Sequence, residues 1–302
     1  MTERVRITDV SPRDGLQNEP LVEGQPIATD RKAALVRASA EAGVDEIEVT
    51  SFVSRRWVPQ LGDAAELCRL LAREPLEGIE LSALVPNERG MRGLLEANER
   101  AGRLLISKAS VFTAASETFS RKNTNATIDE TFERFKPVME LARGLGLRVR
   151  GYVSCAIACP FDGPIAPAAV ADVSRRLHEL GVDEVDLGDT IGRATPESMR
   201  EMLSEVTRSV PVDRLVVHLH DTFGRAASCV RAALDHGVRA FDGSAGGLGG
   251  CPYASTATER APGNISLQSL VDAVHDAGFT TGIRADKLSA ANALATGMRS
   301  GT

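Results

Sequence analysis

The sequence predicts an α/β fold, a single-domain (β/α)8 TIM barrel with its active site at the carboxyl ends of the strands, on three observations. Eight short β-branched runs alternate with longer amphipathic stretches. The runs read as buried and non-alternating, the mark of a parallel sheet covered on both faces. Eight such units within 302 residues fit a closed barrel better than a doubly wound sheet. The dinucleotide fingerprint of an open sheet is also missing, because the glycine-rich stretch 243–250 runs into Cys251-Pro252 without its third glycine.

In chain order the strands are expected at 5–10, 46–51, 80–85, 104–111, 148–153, 184–187, 215–220 and 240–244. Between them the spacing predicts helices that include 30–42, 129–145, 167–180, 196–209 and 225–237. Thr127 with Glu130 forms a capping-box pattern, and Thr195-Pro196 reads as an N-cap followed by proline at the first helical position. Gly43, Gly146, Gly181 and Gly237 stand where helices should close in a left-handed C-cap. No composition break divides the chain. Residues 1–288 are expected to form the catalytic barrel and 289–302 a terminal helix and tail.

Composition narrows the function. With 35 basic against 41 acidic residues the net charge is −6, which argues against a nucleic-acid or anionic-membrane surface. No apolar run approaches the roughly 20 residues that span a bilayer. The first apolar alternation begins at Val5, so no signal or transit peptide is expected. The odd count of 5 cysteines reads as reduced thiols in a cytoplasm rather than a disulfide framework.

A barrel of this type builds its site from the residues that follow each strand. Ser11 to Glu19 follow strand one, Glu48 lies on strand two, and Gly188-Asp189-Thr190 end strand six. His218-Leu219-His220-Asp221 end strand seven, and strand eight leads through Asp242 and the glycine-rich loop to Cys251, with Asn264 beyond. His218 and His220, two apart on one strand, face the same way and can offer two nitrogens to one ion. With Asp14 as third ligand the set is mixed nitrogen and oxygen, which suits Mg2+ or Mn2+ better than Zn2+. Arg13 beside it could pair with a carboxylate such as Glu48, or serve as a fixed partner for a developing oxyanion. Cys251, on a glycine-hinged loop, reads as a mobile acid/base or nucleophile, whereas Cys68 and Cys229 fall on helices. Cys155 and Cys159 lack zinc-knuckle spacing, and His178, His236 and His275 fall on helices.

Six motifs, in order along 5–282, resemble the 3-hydroxy-3-methylglutaryl-CoA lyase family, metal-dependent aldolase-type barrels with an Arg-Asp motif after the first strand. They are Ser-Pro-Arg-Asp-Gly-Leu-Gln-Asn-Glu (11–19), Thr-Ser-Phe-Val-Ser (50–54) with Trp57-Val58-Pro59-Gln60, Gly-Tyr-Val-Ser-Cys-Ala (151–156), Leu-Gly-Asp-Thr-Ile-Gly (187–192), His-Leu-His-Asp-Thr-Phe-Gly (218–224) and Gly-Leu-Gly-Gly-Cys-Pro-Tyr (247–253). The resemblance implies that Asp14, His218, His220 and Asn264 hold a divalent cation. It implies that Arg13 meets the thioester carbonyl and stabilises the acetyl-CoA enolate. Cys251 would act as acid/base over the substrate, with Asp14 and His218 in the catalytic group. Gln17, Glu48, Tyr152 and Asp189 would line the substrate pocket. The reaction would cleave 3-hydroxy-3-methylglutaryl-CoA to acetyl-CoA and acetoacetate, late in leucine breakdown. A homodimer or higher homo-oligomer is expected, with an acyl-CoA as substrate and neither nucleic acid nor membrane as partner.

The chain departs from that pattern in places. Between Cys251 and Asn264 it is about four residues longer, a cheap change in a surface loop, and adds Glu259 and Arg260. Asp186 stands where the family usually has serine and Asp9 where it has glutamate, and the loop over 20–29 is longer. The added charge could tune the pocket for citramalyl-CoA or a longer branched glutaryl-CoA. Isopropylmalate- or homocitrate-synthase-like barrels share the Arg-Asp and His-x-His parts but carry carboxy-terminal regions lacking here. Zinc hydrolase barrels place His-x-His on the first strand, and a non-catalytic barrel would need every candidate ligand by accident. Limited alkylation tests the cysteine assignment: Cys251 should react faster than Cys68 and Cys229, and substrate should protect it. Mass spectrometry that ranks Cys251 slowest would end its acid/base role.

Overall fold

In the computed structural model, which describes residues 3–250 and 263–299, the strand and helix signals resolve into one alternating series. Its first half runs β1 (Arg6–Asp9), α1 (Thr29–Ala42), β2 (Glu46–Ser51), α2 (Ala64–Ala72), β3 (Glu80–Leu84), α3 (Glu88–Ala101), β4 (Lys108–Ala114), α4 (Glu117–Thr124), α5 (Ile128–Leu145) and β5 (Arg148–Ser154). A short antiparallel pair, β6 (Ala158–Cys159) and β7 (Gly163–Pro164), follows. The second half is α6 (Pro167–Leu180), β8 (Glu184–Asp189), α7 (Pro196–Val206), β9 (Leu215–Leu219), α8 (Ala226–Asp235), β10 (Ala240–Gly243), α9 (Leu267–Asp276) and α10 (Ala285–Thr296). Parallel pairing in the order β1-β10-β9-β8-β5-β4-β3-β2 closes the eight long strands into the expected barrel.

Helix ends follow the local chemistry. The Thr127 hydroxyl accepts from the Glu130 amide and the Glu130 carboxylate from the Thr127 amide, and Thr195 caps α7 ahead of Pro196. Gly43, Gly146 and Gly181 end α1, α5 and α6 in the left-handed conformation. Strand four differs from expectation, starting at Lys108 rather than 104 and reaching Ala114. The cause is Asn98. Its amide donates to the Ile106 carbonyl and its oxygen accepts from the Ile106 amide, which ties the approaching chain to α3 and delays sheet entry.

The strands also correct the expectation of non-alternating runs. Ile47 and Val49, Val149 and Val153, Val185 and Leu187 face the helix layer and belong to the hydrophobic core. The residues between them point down the barrel axis, and they are polar. Lys108 Nζ lies 2.6 Å from Glu46, 3.0 Å from Glu80 and 2.9 Å from Glu184, contributed by three other strands. Above it Arg150 reaches Glu46 at 2.9 Å, Glu184 at 3.1 Å, Asp242 at 3.0 Å and the Thr8 hydroxyl at 3.2 Å. Neither cation has exposed side-chain surface. Both faces of the sheet are buried, but only the outer one is oily.

Glu184 is held well below the usual carboxylate range: burial pushes it up, and Arg150, Lys108 and Arg6 outweigh that. Glu80 is lowered in the same way, burial opposing and Lys108 and Arg148 prevailing. A depressed carboxylate contributes stability at pH above its unfolded value, and that stability is lost as pH falls through the folded one. Lys108→Met strands three acids around an apolar side chain. It should cost on the order of 3 kcal/mol or more at neutral pH, as for other broken buried pairs. It should also flatten the loss of stability in acid, because Glu80 and Glu184 move back toward their ordinary values. Urea titrations at neutral and acidic pH read both effects. A variant as stable as the parent would show that the ladder's lower rung is dispensable.

Candidate active site at the barrel mouth

The upper end of the axial ladder is histidine. His218 lies on β9 and His220 follows it, with their Nε2 atoms 3.4 Å apart. Each ring is turned by an acceptor on its other nitrogen. Asp242 Oδ2 lies 3.2 Å from His218 Nδ1, and the Thr190 carbonyl oxygen lies 2.6 Å from His220 Nδ1. These acceptors assign the ring protons to Nδ1 and leave both Nε2 lone pairs facing one space.

Asp14 completes a triangle. One ligand atom each from Asp14, His218 and His220 lies within 4.8 Å of the others, and His220 Nε2 is 4.0 Å from Asp14 Oδ2. Asn264 arrives through a backbone bridge to His220 and donates from Nδ2 to Asp14 Oδ2 at 2.8 Å and to the Leu248 carbonyl at 3.2 Å. Its Oδ1 is buried and has no hydrogen-bond partner among the described residues. Two imidazole lone pairs, a carboxylate and an acceptor oxygen lacking a donor fit a hard divalent cation. A second group, Asp186, His218 and Asp242, lies just below.

Arg13 and Asp14 occupy a single π-helical turn, Ser11–Gly15, immediately after β1. Arg13 Nε donates to Glu48 Oε2 at 2.5 Å and Nη1 to Asp14 Oδ1 at 2.7 Å, while the guanidinium sits 5.3 Å from the Tyr152 ring centroid. Gln17 Nε2 donates to the same Asp14 oxygen at 2.7 Å, and Tyr152 donates to Glu48 Oε2 at 3.1 Å. The Glu48 pairing is thus present, and it leaves the rest of the guanidinium held beside the histidines rather than free. Burial would raise the Asp14 carboxyl, but Arg13 and the two imidazoles hold it well below the usual range. Burial would lower the His220 imidazole, but Asp14 and the Thr190 carbonyl raise it.

Asp189 plays a different part from the other expected residues. Its two oxygens accept from the Arg193 and Ala194 amides at 2.9 and 2.8 Å, shaping the loop that presents Thr190. Cys251, with Glu259 and Arg260, lies outside the described residues. His178, His236 and His275 are on α6, at the end of α8 and on α9, away from the mouth. Cys68 and Cys229 are buried in helices, their thiols pushed up to about 12 chiefly by burial. Sequence reasoning placed Asp242 and Thr190 at the strand ends without giving them a role, and it missed Arg150. A charged residue at the centre of a strand is the signal that could have revealed Arg150.

Two glycines close the base of the loop that carries Cys251. A Cβ on Gly249, whose φ is 117°, would meet Asn264 Nδ2 at 2.7 Å, and a Cβ on Gly263 would collide with the Gly249 carbonyl. The two ends of that loop therefore touch, backbone to backbone.

Comparison with known proteins shows the chain's family. A family model described as HMGL-like matches residues 4–295. The hydroxymethylglutaryl-CoA lyase of Pseudomonas mevalonii is 46% identical over 279 residues, covering 92% of this chain and 87% of its own. Among solved structures, the HMG-CoA lyase from Brucella melitensis is 43% identical with a TM-score of 0.90, over 98% of this chain and 99% of that one. An HMG-CoA lyase from Acinetobacter baumannii, solved in complex with coenzyme A and 3-methylmalate, is 31% identical with a TM-score of 0.85, over 97% and 92% of the two chains.

Asp242 orients His218, so Asp242→Asn should weaken Mn2+ binding about 10–100-fold, the usual cost of losing such a support. Isothermal titration calorimetry on the folded variant checks this. Unchanged affinity would mean that His218 is oriented without Asp242.

Proposed function

The chain belongs to the HMGL-like family, and on that footing we propose that it is a carbon–carbon lyase cleaving 3-hydroxy-3-methylglutaryl-CoA to acetyl-CoA and acetoacetate. The observation that carries the reading is the placement of Arg13, locked by Glu48 and Asp14 beside the histidine cluster. Asp14, His218, His220 and Asn264 are the proposed holders of a divalent cation, Mg2+ or Mn2+. When bound, such an ion supplies Lewis acidity that lowers the pKa of the substrate's tertiary hydroxyl.

The remaining chemistry falls to the chain's own groups. The hydroxyl proton passes to the Asp14–His218 cluster, the C2–C3 bond breaks, and its electron pair becomes the thioester enolate. Arg13 offsets the charge on the enolate oxygen with donors already in position, so no solvent need reorganise. Gln17 and Glu48 hold the paired Asp14 and Arg13 in orientation, and Tyr152 fixes Glu48 from the side. Cys251 is the proposed acid that delivers a proton to the enolate carbon, and Asp189 supports the pocket wall. The proposal places the enzyme in the cytoplasm, late in leucine breakdown, as a homodimer or higher homo-oligomer. No described helix is long and apolar enough to cross a membrane.

A related acyl-CoA is the second reading, and the internal departures do not favour it. Asp186 is fully buried beneath Asp242 and Arg150, and Asp9 is fully buried against Ser11, Ser39 and the Ala245 amide. Neither side chain reaches the open mouth, which leaves that reading to the loop after Cys251.

The test is product formation. Chelated enzyme should be inactive and regain acetoacetate and acetyl-CoA production with Mg2+ or Mn2+, and HMG-CoA should exceed citramalyl-CoA as substrate. Arg13→Lys should lower kcat by roughly 10²–10³-fold with little change in KM, as expected of a donor that acts as the enolate forms. A raised KM with kcat intact would make Arg13 a ground-state binding residue.

A further inference from the structure

Cys155 directly follows β5, fully buried, with its φ at 60°. Only two other non-glycine residues of the described chain enter that left-handed region, and both are exposed. Glu23 sits in the tight turn closed by Val22 and Gln25, and Asn125 caps the end of α4. A β-carbon in this region crowds its own backbone, which is why such residues collect in turns and helix ends. Cys155 caps no helix and is buried with Ala114, Phe119 and Cys159. A buried residue held this way points to surroundings that impose the conformation for a purpose.

Its amide shows what that purpose is. The Cys155 N–H donates to Thr190 Oγ1 at 2.7 Å, and the next amide, that of Ala156, donates to the Gly188 carbonyl at 2.9 Å. In an extended strand successive amides point to opposite sides, and a left-handed residue brings two of them to one side. The two amides stitch the loop after β5 to the end of β8, its neighbour in the barrel. The same segment is confined from beyond. Gly192 has φ at 69°, and a Cβ there would meet the Thr222 hydroxyl at 2.6 Å and the His220 carbonyl at 3.0 Å. Between the two restraints stands the Thr190 carbonyl, 2.6 Å from His220 Nδ1.

Thr190 thus holds two partners at once, the β5 loop by its hydroxyl and an imidazole by its carbonyl. The peptide unit is rigid, so a residue anchored on both sides leaves its carbonyl one direction. We infer that Thr190 is a positioning residue for His220 and that Cys155 supports it through its backbone. The left-handed Cys155 amide anchors Thr190 Oγ1, and the anchored carbonyl accepts from His220 Nδ1. His220 Nε2 is thereby kept unprotonated and turned toward Asp14 Oδ2, 4.0 Å away. The Cys155 thiol takes no part. The inference rests on the reading of His220 as a metal holder in the proposed lyase.

Thr190→Val keeps the carbonyl and nearly the shape of the side chain but deletes the acceptor. In chelated enzyme, at a pH above the ordinary imidazole value of about 6.5, nitrogen-15 spectra should show His220 protonated at Nδ1 in the parent and as a mixture of both tautomers in Thr190→Val. Mn2+ affinity, read by isothermal titration calorimetry, should fall about tenfold. Thr190→Ser should restore both, and Thr190→Ala, which loses the hydroxyl with less bulk, should agree with Thr190→Val if that variant folds poorly. Cys155→Val, β-branched and ill suited to the left-handed region, should behave like Thr190→Val. Cys155→Gly keeps the amide and takes that conformation freely, so it should hold His220 in the parent tautomer. A tautomer unmoved in the folded Thr190→Val or Thr190→Ala enzyme overturns the inference, whatever the affinity. So does a shift in Cys155→Gly equal to that in Thr190→Val, because the thiol would then be what holds Thr190. Parent enzyme that binds Mn2+ and cleaves HMG-CoA keeps the lyase reading intact in each of these cases. Parent enzyme that binds no Mn2+ sinks the metal reading separately, and the tautomer spectra still decide the role of Thr190.

Discussion

Two cations without exposed surface, Lys108 and Arg150, set the terms on which this barrel closes. Removing a charge from water costs several kcal/mol even after relaxation, and only close opposite charges and hydrogen bonds repay it. Five of the other strands therefore bring an acid or a hydroxyl to the right height: Glu46, Glu80, Glu184, Asp242 and Thr8. The demand does not stop at the floor of the barrel. Asp242 faces Arg150 with one oxygen and His218 with the other, and Tyr152 stands between Arg150 and Glu48. The same network that permits burial of the cations thus fixes the angle of an imidazole and of Arg13. Structure and site share their supports, and the two cannot be altered separately.

This sharing explains what could be read from the sequence. The barrel was legible because helix signals such as the Thr127 box and the glycine C-caps are local. The histidine pair was legible because two-residue spacing fixes a common face on a strand, and the Arg13-Asp14 turn because it follows the carboxyl end of the first strand. The polar axis was not, since a strand buried on both faces is expected to be apolar throughout. Its alternation, clear in Arg148-Val149-Arg150 and Glu184-Val185-Asp186, arises from charges compensated across the barrel by residues far away in sequence. Nor could local pattern place the start of strand four, which a single side chain, Asn98, decides from the preceding helix.

Asp186 shows how far the network bends. Burial and the neighbouring Asp242 push its carboxyl well above the usual range, while Asp242 itself is held low by Arg150 and His218 despite its burial. One member of the pair can stay neutral while the other stays ionised, which lets Asp186 sit beside Asp242 with no cation beyond Arg150 facing them. The departure is absorbed beneath the mouth, and the geometry above it is preserved.

The glycine contact at the base of the Cys251 loop frees the loop's length. Gly249 and Gly263 meet backbone to backbone, and Asn264 is held at once by His220, Asp14 and the Leu248 carbonyl. The chain between them is a closed cassette whose length is uncoupled from the position of its ends. Residues can be gained or lost inside it for little more than the small entropy of a longer ring. The segment can therefore differ in size and charge while the Asp14, His220 and Asn264 contacts beside its ends stay as they are. What lets the ends meet is the missing side chain at Gly249 and Gly263.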